Sequence, residues 1–221
     1  MKQIRGIWLP DGDEHFQGHL EQNPEYAGKG TYQFKKVDAA LRMVPKERRG
    51  AAVDIGAHVG LWTRVLSHEF ESVIAVEPVP SHLECLRKNV ADRSNVTIIE
   101  AAVGQEEKDL IEITIASKNS GNCAVVSEER DLSDTLYARM ITLDSLNLKH
   151  LDLLKIDVEG YEPHVLQGGK ATIEQFKPVV VVEQKHEAYG FGRFDAVDLL
   201  RSWGASVLWE KSGDVCMGWD E

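Results

Sequence analysis

Several residues able to do chemistry stand at the carboxyl ends of short apolar runs. Asp54 leads into Ile55-Gly56-Ala57-His58-Val59-Gly60, Glu77-Pro78 closes a second run, Lys155, Asp157 and Glu159 close a third, and Glu183 and His186 end a fourth. Open α/β sheets bind ligands outside the carboxyl ends of their strands, so parallel strands would gather these side chains at one cleft. Gly56 and Gly60 let the backbone turn tightly. They also let a ligand approach main-chain amides, those of Ala57 and His58 included, with no Cβ in the way. A tight turn that binds nothing would use the same two glycines.

Glu77 follows Gly56 by about twenty residues, the spacing at which an acidic side chain accepts hydrogen bonds from ribose hydroxyls. Nicotinamide dinucleotides and S-adenosylmethionine (SAM) both carry that ribose, and the turn separates them. A dinucleotide turn has a second glycine where this sequence has His58, whose side chain would crowd a pyrophosphate. Asp54 is a poor neighbour for phosphate and a good one, directly or through water, for the ammonium of a methionine moiety. SAM is therefore the expected cofactor. An NAD(P)-dependent oxidoreductase and a non-catalytic SAM-binding module are the competing readings.

In the third run, alternation puts Lys155, Asp157 and, if extended geometry lasts, Glu159 on one face. Charges there are costly without partners or ligands, so they either form a structural Lys155 to Asp157 pair or serve a site. Methyl transfer is an in-line displacement in which the enzyme aligns the reactants and a base helps a neutral hydroxyl. Asp157, Glu159, Glu183 and His186 are the base candidates. Gln33, or Tyr32 beside it, is expected near the methionine end, with Thr31 capping the helix that follows. Ala102 is expected by the adenine ring. No ligand spacing for a metal is recognisable.

Positioning falls to an alternation of β-branched runs and amphipathic helices from about residue 51 to 184, which predicts a mainly parallel sheet covered on both faces. Strands are expected at Ala51 to Ile55, Ser72 to Val76, Val96 to Ala101, Leu153 to Val158 and Pro178 to Glu183. A helix is expected from Leu61 to Phe70, and Ser81 with Glu84 reads as a capping box for the next. Residues 105–140 break the rhythm as a hairpin-like insertion with a turn at Asn119 to Asn122 and a charged loop at Ser127 to Asp134. The segment before residue 45 reads as a helical cap, and Ala205 to Trp209 with Val215 to Trp219 as an antiparallel strand pair.

The 221 residues fit one domain with a sizeable core. A net charge of -11, from 25 basic and 36 acidic residues, argues against a nucleic-acid partner. Cys85, Cys123 and Cys216 lack the spacing of a zinc or redox motif and are expected as reduced thiols. There is no signal peptide and no membrane-spanning run, which makes the cytoplasm the expected compartment.

The turn Val53 to Gly60, Glu77-Pro78, Ala101-Ala102-Val103-Gly104 and above all Leu154-Lys155-Ile156-Asp157-Val158-Glu159-Gly160-Tyr161-Glu162 resemble the FkbM-type SAM-dependent methyltransferases, over residues 50 to 185. The resemblance implies a Rossmann-like class I α/β fold and O-methylation of a small hydroxylated, carbohydrate-like acceptor.

Overall fold

The computed structural model describes residues 1–13, 15–115, 123–125, 135–183 and 195–219. Its main sheet has seven strands: β1 (Ala51–Ile55), β2 (Ser72–Val76), β3 (Val96–Ile99), β4 (Leu153–Ile156), β5 (Val179–Glu183), β6 (Ser206–Lys211) and β7 (Asp214–Gly218). Their order across the sheet is 3-2-1-4-5-7-6. The first five strands run parallel, and β7 lies antiparallel between β5 and β6. Strand order reverses between β1 and β4, and open α/β sheets bind ligands beyond the carboxyl ends of the strands at such a reversal. Gly56 and Asp157 flank it.

The helices are α1 (His15–Gln22), α2 (Phe34–Met43), α3 (Leu61–Glu69), α4 (Pro80–Asn89), α5 (Glu162–Gln167), α6 (Lys170–Phe176) and α7 (Asp195–Ser202). Successive strand residues serve opposite faces. Val53, Ile55, Leu154, Ile156, Val180 and Val182 pack against Val165, Leu166, Ile173, Val197 and Leu200 of α5 to α7. Ala52, Leu153 and Val181 face the other way, against α2 and α3. β1 and β4 are thus buried on both sides and hydrophobic throughout except at Asp54 and Lys155.

Several boundaries differ from the sequence expectations. The strand expected at Val96 to Ala101 stops at Ile99, and Ala102–Val103 crosses into a second sheet, pairing parallel with Thr135–Ile141. That strand and Cys123–Val125 pair antiparallel with Lys108–Ile115, so the insertion belongs to a four-stranded sheet rather than a simple hairpin. Its expected turn and charged loop lie outside the described residues. The C-terminal pair is shifted by about one residue. Ser81 does not cap α4: it sits inside the helix, and the residue at the cap is Val79, whose amide is bound by Glu77.

The segment before residue 45 holds α1, α2 and two short ribbons, Lys2–Ile4 with Ile7–Leu9 and Glu25–Tyr26 with Lys29–Gly30. Ile7, Leu9, Phe16 and Leu20 pack on Val59 and Leu61 of the glycine turn. Asn23, and not Thr31, supplies an acceptor to the first amide of α2. Lys36 reaches from α2 to the turn before β7, where its ammonium lies 2.8 Å from Asp214 Oδ1 and donates to the Ser212 carbonyl. Cys85 and Cys216 are buried free thiols, pushed by burial up to about 11 and about 12. No described helix is long and apolar enough to cross a membrane.

Candidate active site

The first strand carries Asp54 to a fully buried position beneath the turn. Thr63, one turn into α3, donates its hydroxyl to Asp54 Oδ2 at 2.6 Å. Lys155 reaches the same carboxylate from the neighbouring strand, with Nζ 3.3 Å from Asp54 Oδ1, 3.4 Å from Asp157 Oδ2 and 3.2 Å from the Gly56 carbonyl it bonds. Burial works to strip the Lys155 ammonium of its proton, and the charges of Asp54 and Asp157 outweigh it, holding the group above the usual lysine range. The Lys155 to Asp157 pair, one of the two alternatives for this run, is present, with Asp54 as its buried third member. Asp54 faces Thr63 and Lys155, so a direct contact with a ligand's ammonium is not what its position offers.

Gly56 makes this proximity possible. Its φ is +74°, and a Cβ there would stand 1.8 Å from the Asp157 carbonyl oxygen. The turn after β1 and the loop after β4 therefore touch backbone to backbone.

Extended geometry does not last through that loop. β4 ends at Ile156, and Glu159 and Gly160 take left-handed conformations with φ of +59° and +98°. Strand alternation consequently fails for Glu159. The loop itself brings it back, so that carboxylate oxygens of Asp157, Glu159 and Glu183 lie within 4.8 Å of one another. Such a group can share one cationic moiety or accept from several hydroxyls. Tyr32 faces it from the N-terminal segment: burial, then the charge of Asp157, raises its phenol above the ordinary tyrosine value. Phe16 and His19 pack edge-on to the Tyr32 ring. Gln33 accepts a hydrogen bond from the Trp62 indole at 3.1 Å, and Trp62 in turn lies under the Lys155 ammonium.

Glu77 is buried at the end of β2 and already engaged. Its Oε2 accepts the His58 amide at 2.9 Å, while Oε1 accepts the Val79 amide at 3.0 Å and meets His82 Nδ1 at 3.1 Å. Burial pushes this carboxyl up, but the hydrogen bond and charge of His82, the charge of His58 and the Val79 amide prevail and hold it below the ordinary value. The His58 ring packs against His82 at a tilt of 44°, with centroids 3.8 Å apart. A ribose bound here would share an acceptor that also clamps the turn. Glu77→Ala is accordingly expected to weaken nucleoside binding by about 1.5 to 3 kcal/mol and to lower stability by about 1 to 3 kcal/mol. Titration of S-adenosylhomocysteine (SAH) alongside urea melts reads both, and unchanged affinity would remove Glu77 from the ribose site.

Ala57 packs beneath α4 with Leu83 and Leu86, and Pro78 is half-buried between Glu77 and the start of that helix. Ala102 follows the third main strand and is buried in the second sheet among Ile111, Ile113 and Met140. His186 lies outside the described residues. Thr63, His82 and Glu162 were missed. The first two carry no local signal, being a threonine and a histidine on ordinary helices; Glu162 stood in the most specific motif with no role attached.

The family model of the methyltransferase FkbM domain matches residues 54–207. Methyltransferase 1 of Beauveria bassiana (strain ARSEF 2860) is 24% identical over 159 residues, which cover 60% of this chain and 63% of that protein. The chain thus spans less than two thirds of that relative's length. Among solved structures, SMU.1697c of Streptococcus mutans in complex with SAH is similar at a TM-score of 0.50 and 13% identity, covering 83% of this chain and 94% of that one. Methyltransferase FkbM from Methylobacillus flagellatus KT gives a TM-score of 0.49 and 20% identity, covering 76% of this chain and 42% of that one. The likeness to SMU.1697c is one of fold.

Proposed function

The chain belongs to the methyltransferase FkbM domain family, and we propose that it transfers a methyl group from SAM to a hydroxyl of a small carbohydrate-like acceptor. The observation that carries this reading is the convergence of Asp157, Glu159 and Glu183 beside the Gly56 turn. Three carboxylates against one buried ammonium make an acidic site. That donor set fits a cofactor whose ammonium and sulfonium are positive, and it opposes the pyrophosphate of a nicotinamide dinucleotide. Tyr32, Gln33, Trp62 and the carboxylate group would hold its methionine end, and the turn amides with Glu77 its nucleoside.

When bound, SAM supplies a methyl group already activated by its sulfonium. The chain's residues supply alignment and a proton acceptor. Lys155 holds Asp157 on the crevice side, and the left-handed turn holds Glu159 beside it. One of these carboxylates would accept the proton of an acceptor hydroxyl that donates to it. A polyhydroxylated acceptor satisfies the other carboxylate oxygens at the same time, which is the ground for a sugar-like molecule. An anionic acceptor would meet like charge.

The test begins with cofactor. SAM or SAH at about 100 times its dissociation constant should stabilise the protein by about 2.7 kcal/mol, with NADH giving no shift. Labelled methyl transfer over sugars, glycolipids and hydroxylated metabolites then reads the acceptor. A folded protein that ignores millimolar SAM refutes the cofactor, and one that binds SAM yet methylates only amines or carbon centres refutes the hydroxyl acceptor.

A further inference from the structure

Glu162 is 3% exposed at the first residue of α5, and among the described residues it forms no ion pair. A buried carboxylate without a cation is costly unless amides compensate it. Here one oxygen, Oε1, accepts two main-chain hydrogen bonds, from Val158 at 3.0 Å and from Gly160 at 3.2 Å. Those amides bracket Glu159, whose left-handed backbone is unusual for a residue with a long side chain. On its other side the loop abuts Gly56 through the Asp157 carbonyl. The loop carrying two of the three converging carboxylates is thus held from beneath by a fourth that does not itself join them.

We propose that Glu162 is a positioning residue, whose carboxylate clamps the left-handed turn at Glu159 and so sets where Asp157 and Glu159 present their oxygens to the cofactor. The function follows from the acceptor atoms and not from the charge. Glutamine keeps a carbonyl at the same reach; aspartate is one methylene too short to reach both amides, and alanine removes the acceptor.

The clamp has a pH signature. Burial first, then the charge of Asp157 from the end of β4, raises the carboxyl to about 7 against the lowering effect of the Val158, Gly160 and Glu162 amides. A raised carboxyl is most favourable to the fold below its ordinary value of 4.5, where both states are protonated, and its contribution declines as pH climbs through 7. Glu162→Gln has no proton to lose.

The proposal rests on the SAM reading, and its test separates the two. SAH is titrated into wild type, Glu162→Gln, Glu162→Asp and Glu162→Ala, and exchange of the Val158 and Gly160 amides is followed by NMR. Glutamine should bind SAH within about threefold of wild type, whereas aspartate and alanine should bind about tenfold or more weakly and expose both amides to about tenfold faster exchange. Between about pH 5 and 8 the melting temperature of wild type should fall relative to that of Glu162→Gln. Aspartate affinity matching wild type, or glutamine affinity as poor as aspartate, overturns the clamp. If alanine does not fold, the aspartate and glutamine pair decides. If wild type itself ignores SAH, the cofactor reading falls, and amide exchange still decides the clamp.

Discussion

Lys155→Met is expected to lower the stability of the fold by about 3 to 5 kcal/mol, the cost of leaving a buried charge without its partner. The side chains of Lys155 and Asp54 are 7% and 0% exposed, and Asp54 would keep only the Thr63 hydroxyl. At 0% exposure the orphaned carboxylate has no hydration in the fold, so it would take up a proton or drag β1 and β4 apart. Adding Asp54→Asn to Lys155→Met should restore part of the loss, because the unpaired charge is then gone. Urea melts of the two single variants and the double variant measure the coupling. Single losses below about 1 kcal/mol would put the pair in the class of exposed ion pairs and undo the buried description.

The reverse imbalance is expected in the loop that follows β4. Asp157→Asn and Glu159→Gln should cut methyl transfer about 100-fold or more, the range for losing a general base. Stability should change by about 1 kcal/mol or less, because the Asp157 side chain is 26% exposed and its loss leaves Lys155 paired to Asp54. Glu159 is likewise half-buried. Labelled transfer at saturating SAM is compared with melting on the same samples. Variants that melt far lower yet keep wild-type turnover per folded molecule would make these carboxylates structural and leave Glu183 and His186 as the base candidates.

Much of this arrangement was legible in the chain because it rests on local rules. The run Val179-Val180-Val181-Val182 can be little other than a doubly covered strand, and Gly56 and Gly60 mark a turn because few other residues tolerate it. What failed was decided at a distance. Extrapolating β4 to Val158 ignored that the Asp157 carbonyl meets Gly56, a contact between residues far apart in the sequence. Ser81 and Glu84 have the form of a capping box, but the nearby Glu77 carboxylate takes the amide at the start of α4. Ala102 pairs in parallel with Met140, and no local pattern announces a partner across an insertion. The partners of Glu77 and Glu162 are main-chain amides, which every sequence contains and none displays.

One feature of the sheet bears on how the molecule is made. β7 is buried at all five residues and lies between β5 and β6, yet it is translated after every other strand of that sheet. Until it leaves the ribosome, β5 offers a bare row of amides and carbonyls flanked by valines, the kind of edge that recruits strands from other chains. Lys36 meanwhile waits, unpaired, for Asp214. Over the roughly thirty residues translated between β5 and β7 the nascent polypeptide therefore carries a sticky edge, and its cover is the last of these seven strands to be made.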